Sequence, residues 1–135
     1  MPHSYISEYP QSTEVDPGIK TFFEDLYRIS DDPVAHDKYA QLYTKDAILI
    51  IGKILNLRKG MWVAIQSRLH TPIKIFPFGA DSTEFMLYGT VDYTFKDGRK
   101  AEVEWAGRVN MTKEDGDWKM SFYQVYLDTA AQSGK

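Results

Sequence analysis

The sequence has no cysteine, which excludes a disulfide framework, a thiolate metal site and a cysteine nucleophile. No stretch approaches the roughly 18 consecutive apolar residues that a membrane-spanning helix requires. The 16 Lys and Arg are interspersed with 19 Asp and Glu, which gives a net charge of −3 and no basic stripe. We therefore expect neither a membrane nor a nucleic acid as a partner.

Groups with the spacing of metal or phosphate sites are also scarce. The three histidines, His3, His36 and His70, lie in unrelated segments, so we expect no metal site. No glycine-rich phosphate loop is present, so we expect no nucleotide and no other cofactor. Residues 1–16 are polar and carry no apolar run of the kind found in secretory signals, so the expected location is cytoplasmic.

Aromatic residues are abundant instead. Nine Tyr, seven Phe and three Trp make up 14% of the 135 residues. This length predicts a single domain, residues 16–135, preceded by a flexible N-terminal arm at residues 1–15. So many rings in a small domain indicate either a ring-packed core or a ring-lined cavity.

The C-terminal half has the clearest pattern. Glu84 to Asp128 is predicted to form three long strands joined at Asp97-Gly98 and Asp115-Gly116. Asp-Gly between alternating runs favours a tight hairpin because glycine tolerates a positive φ. Two successive hairpins predict an antiparallel meander.

The first half is predicted to be mainly helical. Asp16-Pro17 suits the start of one helix, and a second helix follows it. A short buried strand is predicted at Ala47 to Ile51, with Lys53 to Leu57 pairing back on it. A third helix is predicted from Met61 to Leu69, ended by His70-Thr71-Pro72. The predicted fold class is α+β, with three helices packed on a curved, mostly antiparallel sheet that encloses a pocket.

Side chains alternate along each strand of the meander, which assigns them to two sheet faces. In the first two strands one face is apolar and comprises Phe85, Leu87, Val91, Tyr93, Phe95, Ala101, Val103, Trp105, Val109 and Met111. In the third strand the pattern groups Trp118, Met120, Phe122, Gln124, Tyr126 and Asp128, and leaves Tyr123, Val125 and Leu127 on the opposite face. A sheet that is apolar on both faces indicates a homodimer through its outer face, the alternative being packing within one chain.

Three local motifs resemble the NTF2-like or SnoaL-like superfamily. Residues 42–47 (LYTKDA) resemble its passage from the second helix into the first strand, residues 60–65 (GMWVAI) the start of its third helix, and residues 115–120 (DGDWKM) its last hairpin. The resemblance implies a cone of three helices on a bent sheet over residues 16–128. The superfamily includes ketosteroid isomerases, polyketide cyclases, scytalone dehydratase, epoxide hydrolases and non-catalytic binding proteins.

Enzymes like scytalone dehydratase place a histidine after the third helix, facing the cavity, and an acidic residue between the first two helices. The resemblance therefore implies His70 as a catalytic residue with Asp31 or Asp32 as its partner, and of these two we take Asp32. Ser30 stands where the dehydratase has a tyrosine. The inner strand positions hold no second histidine, so a two-histidine dehydration mechanism does not carry over.

The chemistry of the side chains favours the same candidates. Imidazole titrates near neutral pH and can give or take a proton, and a carboxylate would orient it. The alternative roles are structural: His70 would cap the third helix, and an aspartate would cap the helix before Pro33. Tyr126, or else Tyr43, would donate a hydrogen bond to a developing oxyanion, unless its ring only packs and its hydroxyl meets water.

A further set of side chains is predicted to bind the substrate: Tyr27, Tyr43, Trp62, Phe85, Trp105, Met120 and Phe122. Such walls suit a flat, apolar, lightly oxygenated molecule such as a polyketide or terpenoid, unless these side chains fill the core completely. Glu102 and Glu104 lie on the opposite strand face and are expected to meet solvent or a partner subunit.

Two functions are open at this point. The first is a cofactor-independent isomerase, dehydratase or cyclase that acts by acid–base chemistry on a small hydrophobic carbonyl compound in secondary metabolism. The second is a non-catalytic dimeric module that binds a small ligand or a protein. Polar groups converging on His70 would favour the enzyme. A filled core, or an apolar pocket with His70 turned to solvent, would favour the binding module.

Overall fold

The structure is a computed structural model that describes residues 3–50 and 62–127. In these residues two helices come first in the chain, and the five strands of one sheet follow them. The elements are α1 (Pro17–Ser30), α2 (His36–Ala40), β1 (Tyr43–Ile50), β2 (Ile65–Pro77), β3 (Glu84–Phe95), β4 (Lys100–Glu114) and β5 (Asp117–Leu127). The strand order is β1-β5-β4-β3-β2; β1 runs parallel to β5, and the other neighbours are antiparallel.

Helix α1 forms as its sequence predicts. The Oδ1 atom of Asp16 accepts a hydrogen bond from the backbone N–H of Gly18 at 2.7 Å, and Pro17 occupies the first turn. The ring of Phe23 meets the ring of Phe85 on β3 edge-on, with their centroids 5.4 Å apart. The face of α1 that packs into the core consists of Ile19, Phe22, Phe23, Leu26, Tyr27 and Ser30.

The meander is confirmed over the described residues. Gly98 joins β3 to β4 with φ +92°, and Gly116 joins β4 to β5 with φ +86°, a conformation that glycine adopts without steric cost. The predicted apolar face of β3 and β4 is the inner face, because its side chains are buried: Phe85, Leu87, Val91, Val103, Trp105, Val109 and Met111.

The predicted third helix is wrong, because β2 occupies most of that range. Its register against β3 shifts between Ile65 and Ser67 and again between Pro72 and Lys74. Each shift inserts a residue into the strand and interrupts the two-residue alternation. The buried positions are therefore spaced by three or four residues, as on a helix: Trp62, Ile65, Arg68, Pro72 and Ile75. Proline is tolerated there because β2 is an edge strand of the sheet.

The predicted faces of β5 are also wrong for the residues after Ser121. The register of β4 against β5 shifts so that Asn110 pairs with Phe122 and Met111 with Met120, which leaves Ser121 as an extra residue. After this bulge the inner and outer positions exchange. Tyr123 is buried in the core, whereas Tyr126 is 45% exposed on the outer face.

The segment between α1 and β2 differs from the prediction in its details. Helix α2 spans His36–Ala40, and β1 begins at Tyr43, four residues before the predicted start of the strand at Ala47. The predicted pairing strand at Lys53 to Leu57 lies outside the described residues, as does the end of the meander at Asp128. Within the part of the chain that the structure describes, no helix is long and apolar enough to span a bilayer.

The N-terminal arm follows the edge of the sheet. The backbone N–H of Glu8 donates to the carbonyl oxygen of Ile73 at 2.9 Å, and the N–H of Ile75 donates to that of Glu8 at 3.0 Å. Glu8 thereby forms a parallel bridge with Lys74 of β2. The segment expected to be flexible is therefore joined to the domain by backbone hydrogen bonds.

Gly89 sets the spacing of β3 and β2. A β-carbon at this position would lie 2.3 Å from the backbone oxygen of Thr71 and 2.9 Å from the α-carbon of Pro72, distances too short for non-bonded atoms. The glycine thus permits the close approach of the two strands at Pro72, which begins the second bulge of β2 two residues beyond His70.

We predict that Gly89→Ala destabilises the fold by about 1–3 kcal/mol, because the added methyl group forces two backbones apart. Gly79→Ala is the matched control, since a β-carbon there meets no atom within 4 Å. Urea unfolding followed by circular dichroism measures both variants. Equal stability of the two variants would contradict the role assigned to Gly89.

Candidate active site

Asp31 and His70 form a directly bonded pair. Asp31 follows the last residue of α1, and its backbone N–H donates to the carbonyl oxygen of Tyr27 at 3.1 Å. Its Oδ1 accepts from Nδ1 of His70 at 2.6 Å, and its Oδ2 accepts from the backbone N–H of His70 at 2.7 Å. The two contacts tie the end of the helix to the middle of β2.

This arrangement selects one form of the imidazole. Because a carboxylate only accepts hydrogen bonds, Nδ1 of a neutral His70 carries the proton and Nε2 carries the lone pair. The side chains of His70 and Asp31 are only 14% and 6% exposed, so the bond is shielded from water. An oriented imidazole whose Nε2 can accept and return a proton is the arrangement that general acid–base catalysis requires.

Arg68 of β2 binds the C-terminal end of α1. Its side chain is 5% exposed, and its Nε lies 3.8 Å from Oδ1 of Asp31. Nη2 donates to the backbone oxygen of Ser30 at 2.6 Å and to the Ser30 hydroxyl at 3.0 Å, while Nε donates to the same backbone oxygen at 3.1 Å. Its guanidinium also lies over the ring of Trp62, 4.9 Å from the centroid. A buried cation thus compensates the buried carboxylate and fixes its position.

Two aromatic rings flank His70. The ring centroid of Tyr27 lies 5.2 Å and that of Trp105 lies 5.6 Å from the imidazole, and the two rings lie 5.0 Å from each other. Nε1 of Trp105 donates to the backbone oxygen of Thr90 at 2.9 Å, which holds the indole in place. The imidazole therefore lies against two aromatic rings that are themselves buried, with relative exposures of 1% for Tyr27 and 4% for Trp105.

Buried tyrosine hydroxyls form two pairs near these rings. The hydroxyls of Tyr27 and Tyr123 lie 3.1 Å apart, and those of Tyr39 and Tyr43 lie 2.7 Å apart. Burial raises the pKa of Tyr27, Tyr43 and Tyr123 well above the usual range. The hydrogen bond between the hydroxyls of Tyr27 and Tyr123 raises the pKa of Tyr27 further and lowers the pKa of Tyr123, as expected when Tyr27 donates. These phenols remain neutral donors around neutral pH.

The catalytic residues taken from the sequence fall in different places. His70 lies at the centre of the site, but in a strand instead of after a helix. Asp32 is exposed, and its Oδ1 accepts from the backbone N–H of Val34 at 3.0 Å. The position beside His70 that was predicted for Asp32 is occupied by Asp31. Tyr126 lies on the outer face of the sheet because of the bulge at Ser121.

The predicted binding residues are also divided. Tyr27 and Trp105 contact His70, whereas Phe85 and Met120 are core residues with relative exposures of 1% and 0%. Phe122 lies on the outer strand face, with the guanidinium of Arg108 4.8 Å from its ring centroid. The other two, Trp62 and Tyr43, are buried against Arg68 and Tyr39 respectively.

Two contributors were not predicted from the sequence. Arg68 lay in the segment predicted as helix, where a single basic residue carries no signal of burial. Tyr5 lay in the predicted arm, yet its hydroxyl donates to Oδ2 of Asp31 at 2.9 Å. Within residues 3–50 and 62–127, no cluster of three His, Asp or Glu side chains could hold a metal ion.

Comparison with solved structures shows the fold. A putative scytalone dehydratase from Novosphingobium aromaticivorans is similar over 82% of this chain and 82% of its own, with a TM-score of 0.69 and 15% identity. The similarity to a type 2 hexachlorocyclohexane dehydrochlorinase, LinA, extends over 82% of this chain and 83% of that protein, with a TM-score of 0.68 and 14% identity. The similarity to an NTF2-like protein of unknown function from Burkholderia pseudomallei extends over 85% of this chain and 94% of that protein, with a TM-score of 0.67 and 13% identity. No protein-family model and no curated protein matches the sequence.

We predict that the buried tyrosines ionise only when the protein unfolds in alkali. Their folded pKa values lie above the unfolded value of about 10, so their contribution to stability is complete below pH 10 and is lost as the pH rises above it. Tyrosinate absorbance and circular dichroism should therefore change together in a cooperative step. Tyr27→Phe should reduce the amplitude of that step, and gradual ionisation of all nine tyrosines in a still folded protein would contradict the prediction.

Proposed function

We propose that this chain, which has the α+β fold of NTF2-like proteins, is a cofactor-independent enzyme that moves a proton at a carbon beside a carbonyl group. The substrate would be a small hydrophobic compound of the polyketide or terpenoid kind, as used in secondary metabolism, and the outcome an isomerisation, dehydration or cyclisation. The observation that carries the proposal is the 2.6 Å bond between Nδ1 of His70 and the shielded carboxylate of Asp31.

The proposed reaction starts with Nε2 of His70 as the base. Nε2 takes a proton from the carbon beside the carbonyl, and the electrons of the C–H bond form an enolate. The resulting imidazolium is stabilised by the carboxylate of Asp31. Return of the proton to another carbon gives an isomer, and transfer to a departing hydroxyl group releases water and gives an alkene. Positioned acid–base groups of this kind typically contribute about 10²–10⁴-fold to a rate.

The aromatic surroundings and the similar structures support this chemistry. Tyr27 and Trp105 place aromatic rings against the imidazole, and such apolar surroundings suit a hydrophobic ring system better than a charged metabolite. Tyr43, the predicted oxyanion partner, is buried with its hydroxyl 2.7 Å from that of Tyr39, and burial raises its pKa. Two of the similar structures are named as a dehydratase and a dehydrochlorinase, and both names describe eliminations.

The first test uses 2-tetralone, a bicyclic aromatic ketone with acidic protons beside its carbonyl. Exchange of these protons for deuterium in D₂O, followed by NMR, should be faster with the protein than with buffer. His70→Gln should slow the exchange by about 10²–10⁴-fold. Asp31→Asn should also slow it, because an amide that donates to Nδ1 moves the imidazole proton to Nε2 and removes the base.

Asp32→Asn is the matched control for Asp31→Asn. It makes the same change one residue away, and the asparagine oxygen can still accept from the N–H of Val34. Its exchange rate should equal that of the unchanged protein. Exchange no faster than in buffer, together with binding of the ketone that His70→Gln leaves intact, would favour the alternative of a non-catalytic binding module.

We also propose that the outer sheet face joins two copies of the chain. Its exposed apolar side chains include Met86, Tyr88 and Tyr126, with relative exposures of 44%, 39% and 45%. Phe76 stacks on Tyr88 with the ring centroids 6.1 Å apart, beside a hollow of about 460 Å³ that Tyr88 and Tyr126 line. Clusters of this kind are typical of subunit interfaces.

We predict that the protein sediments as a dimer and that Tyr88→Glu dissociates it, because the new carboxylate would lose its water on association. Thr112→Glu is the matched control, since Thr112 is exposed near the hairpin end of β4. Analytical ultracentrifugation measures the mass of each. A monomeric unchanged protein would contradict the proposed interface.

A further inference from the structure

The N-terminal arm has an inward and an outward side. Tyr5, Ser7 and Tyr9 are partly buried, whereas the intervening Ile6 and Glu8 are exposed. This two-residue alternation is that of an extended strand with one face on the domain. The arm's tyrosines therefore point towards the body of the protein.

Three hydrogen bonds fasten the arm along β2. Nε2 of His3 donates to the backbone oxygen of His70 at 2.6 Å, and Glu8 exchanges backbone hydrogen bonds with Ile73 and Ile75 at 2.9 and 3.0 Å. The same stretch of β2 carries the imidazole of the site. The arm thus runs beside the strand that positions His70, and its first attachment is to His70 itself.

Tyr5 connects the arm to the other half of the pair. Its hydroxyl donates to Oδ2 of Asp31 at 2.9 Å, the oxygen that also accepts from the backbone N–H of His70. The ring is held by His3, edge-on at 4.8 Å, and by the guanidinium of Arg28, 5.6 Å from its centroid. Burial and the adjacent Asp31 raise the pKa of Tyr5, so its hydroxyl stays a donor.

We propose that Tyr5 is a positioning residue of the His70–Asp31 pair, so that the docked N-terminal arm is part of the active site. With Tyr5 in place, Oδ2 of Asp31 has two donors, which hold the carboxylate plane so that Oδ1 faces Nδ1 of His70. Without the hydroxyl, Oδ2 keeps only the backbone donor, and the carboxylate can turn away from Nδ1. The catalytic consequence rests on the function proposed above, but the geometric one does not.

The test compares Tyr5→Phe with Tyr9→Phe. Both remove one hydroxyl from the same arm, but Tyr9 lies against Lys20, and none of its described hydrogen bonds reaches Asp31 or His70. The readout is ¹⁵N NMR of His70, whose two nitrogen shifts report which one carries the proton. The resonances are assigned with His3→Gln and His36→Gln, since the chain has only three histidines.

We expect Tyr5→Phe to shift His70 away from the Nδ1–H tautomer and Tyr9→Phe to leave its spectrum unchanged. In the 2-tetralone assay, kcat for Tyr5→Phe should fall about tenfold, the lower end of the loss seen when a metal-bound histidine loses an outer hydrogen-bond partner. KM should stay constant, because Tyr5 contacts the carboxylate and not the flanking rings. Thermal unfolding of both variants checks that each remains folded at the assay temperature.

The NMR result decides the inference by itself. An unchanged His70 spectrum in folded Tyr5→Phe would overturn the positioning role, whatever the activity. So would an equal change in Tyr9→Phe, because the effect would then come from general loosening of the arm. A tautomer shift confined to Tyr5→Phe supports the role, even if the unchanged protein proves inactive towards 2-tetralone, an outcome that counts against the proposed function alone.

Discussion

The buried carboxylate of Asp31 is the interaction on which the rest of the site depends. It accepts from the side chain and backbone of His70 and from the hydroxyl of Tyr5, and it faces the guanidinium of Arg68. A buried charge is stable only when its hydrogen bonds and its countercharge are supplied. Satisfying this one group therefore brings together three separate segments, namely the end of α1, the middle of β2 and the N-terminal arm.

The bulges in two strands, β2 and β5, determine which side chains lie near Asp31 and its neighbours. The shifts in β2 place Arg68 inside the protein and carry His70 to the helix end, while Gly89 of β3 allows the close approach of the strands. The bulge at Ser121 in β5 turns Tyr123 inward to meet Tyr27 and turns Tyr126 outward. Irregular strands thus give the sheet an inner face that carries the His70–Asp31 pair and an outer face with exposed apolar side chains.

Much of the fold could be predicted, because local chemistry dictates it. Asp16-Pro17 begins α1, the glycines of two Asp-Gly turns take the positive φ of the hairpins, and plain alternation orients β3 and β4. The site could be predicted only in part. His70 and an aspartate after the first helix were identified as candidates, but Asp31 and Asp32 are adjacent, and no local pattern tells which carboxylate turns inward.

The sequence by itself determined the first helix, the turns and the faces of the regular strands, since each depends on residues close together in the chain. His70 became a candidate through the family resemblance and the chemistry of its imidazole. The tertiary structure decided that residues 65–77 are a strand, that Asp31 is the partner, and that Arg68 and Tyr5 complete the site. Bulges arise from pairing with a neighbouring strand, and the partners of a buried carboxylate come from distant segments. The bulges of β2 give its buried residues a helix-like spacing, and the partners of Asp31 leave no pattern along the chain, because both are set by which surfaces meet when the sheet and helix pack.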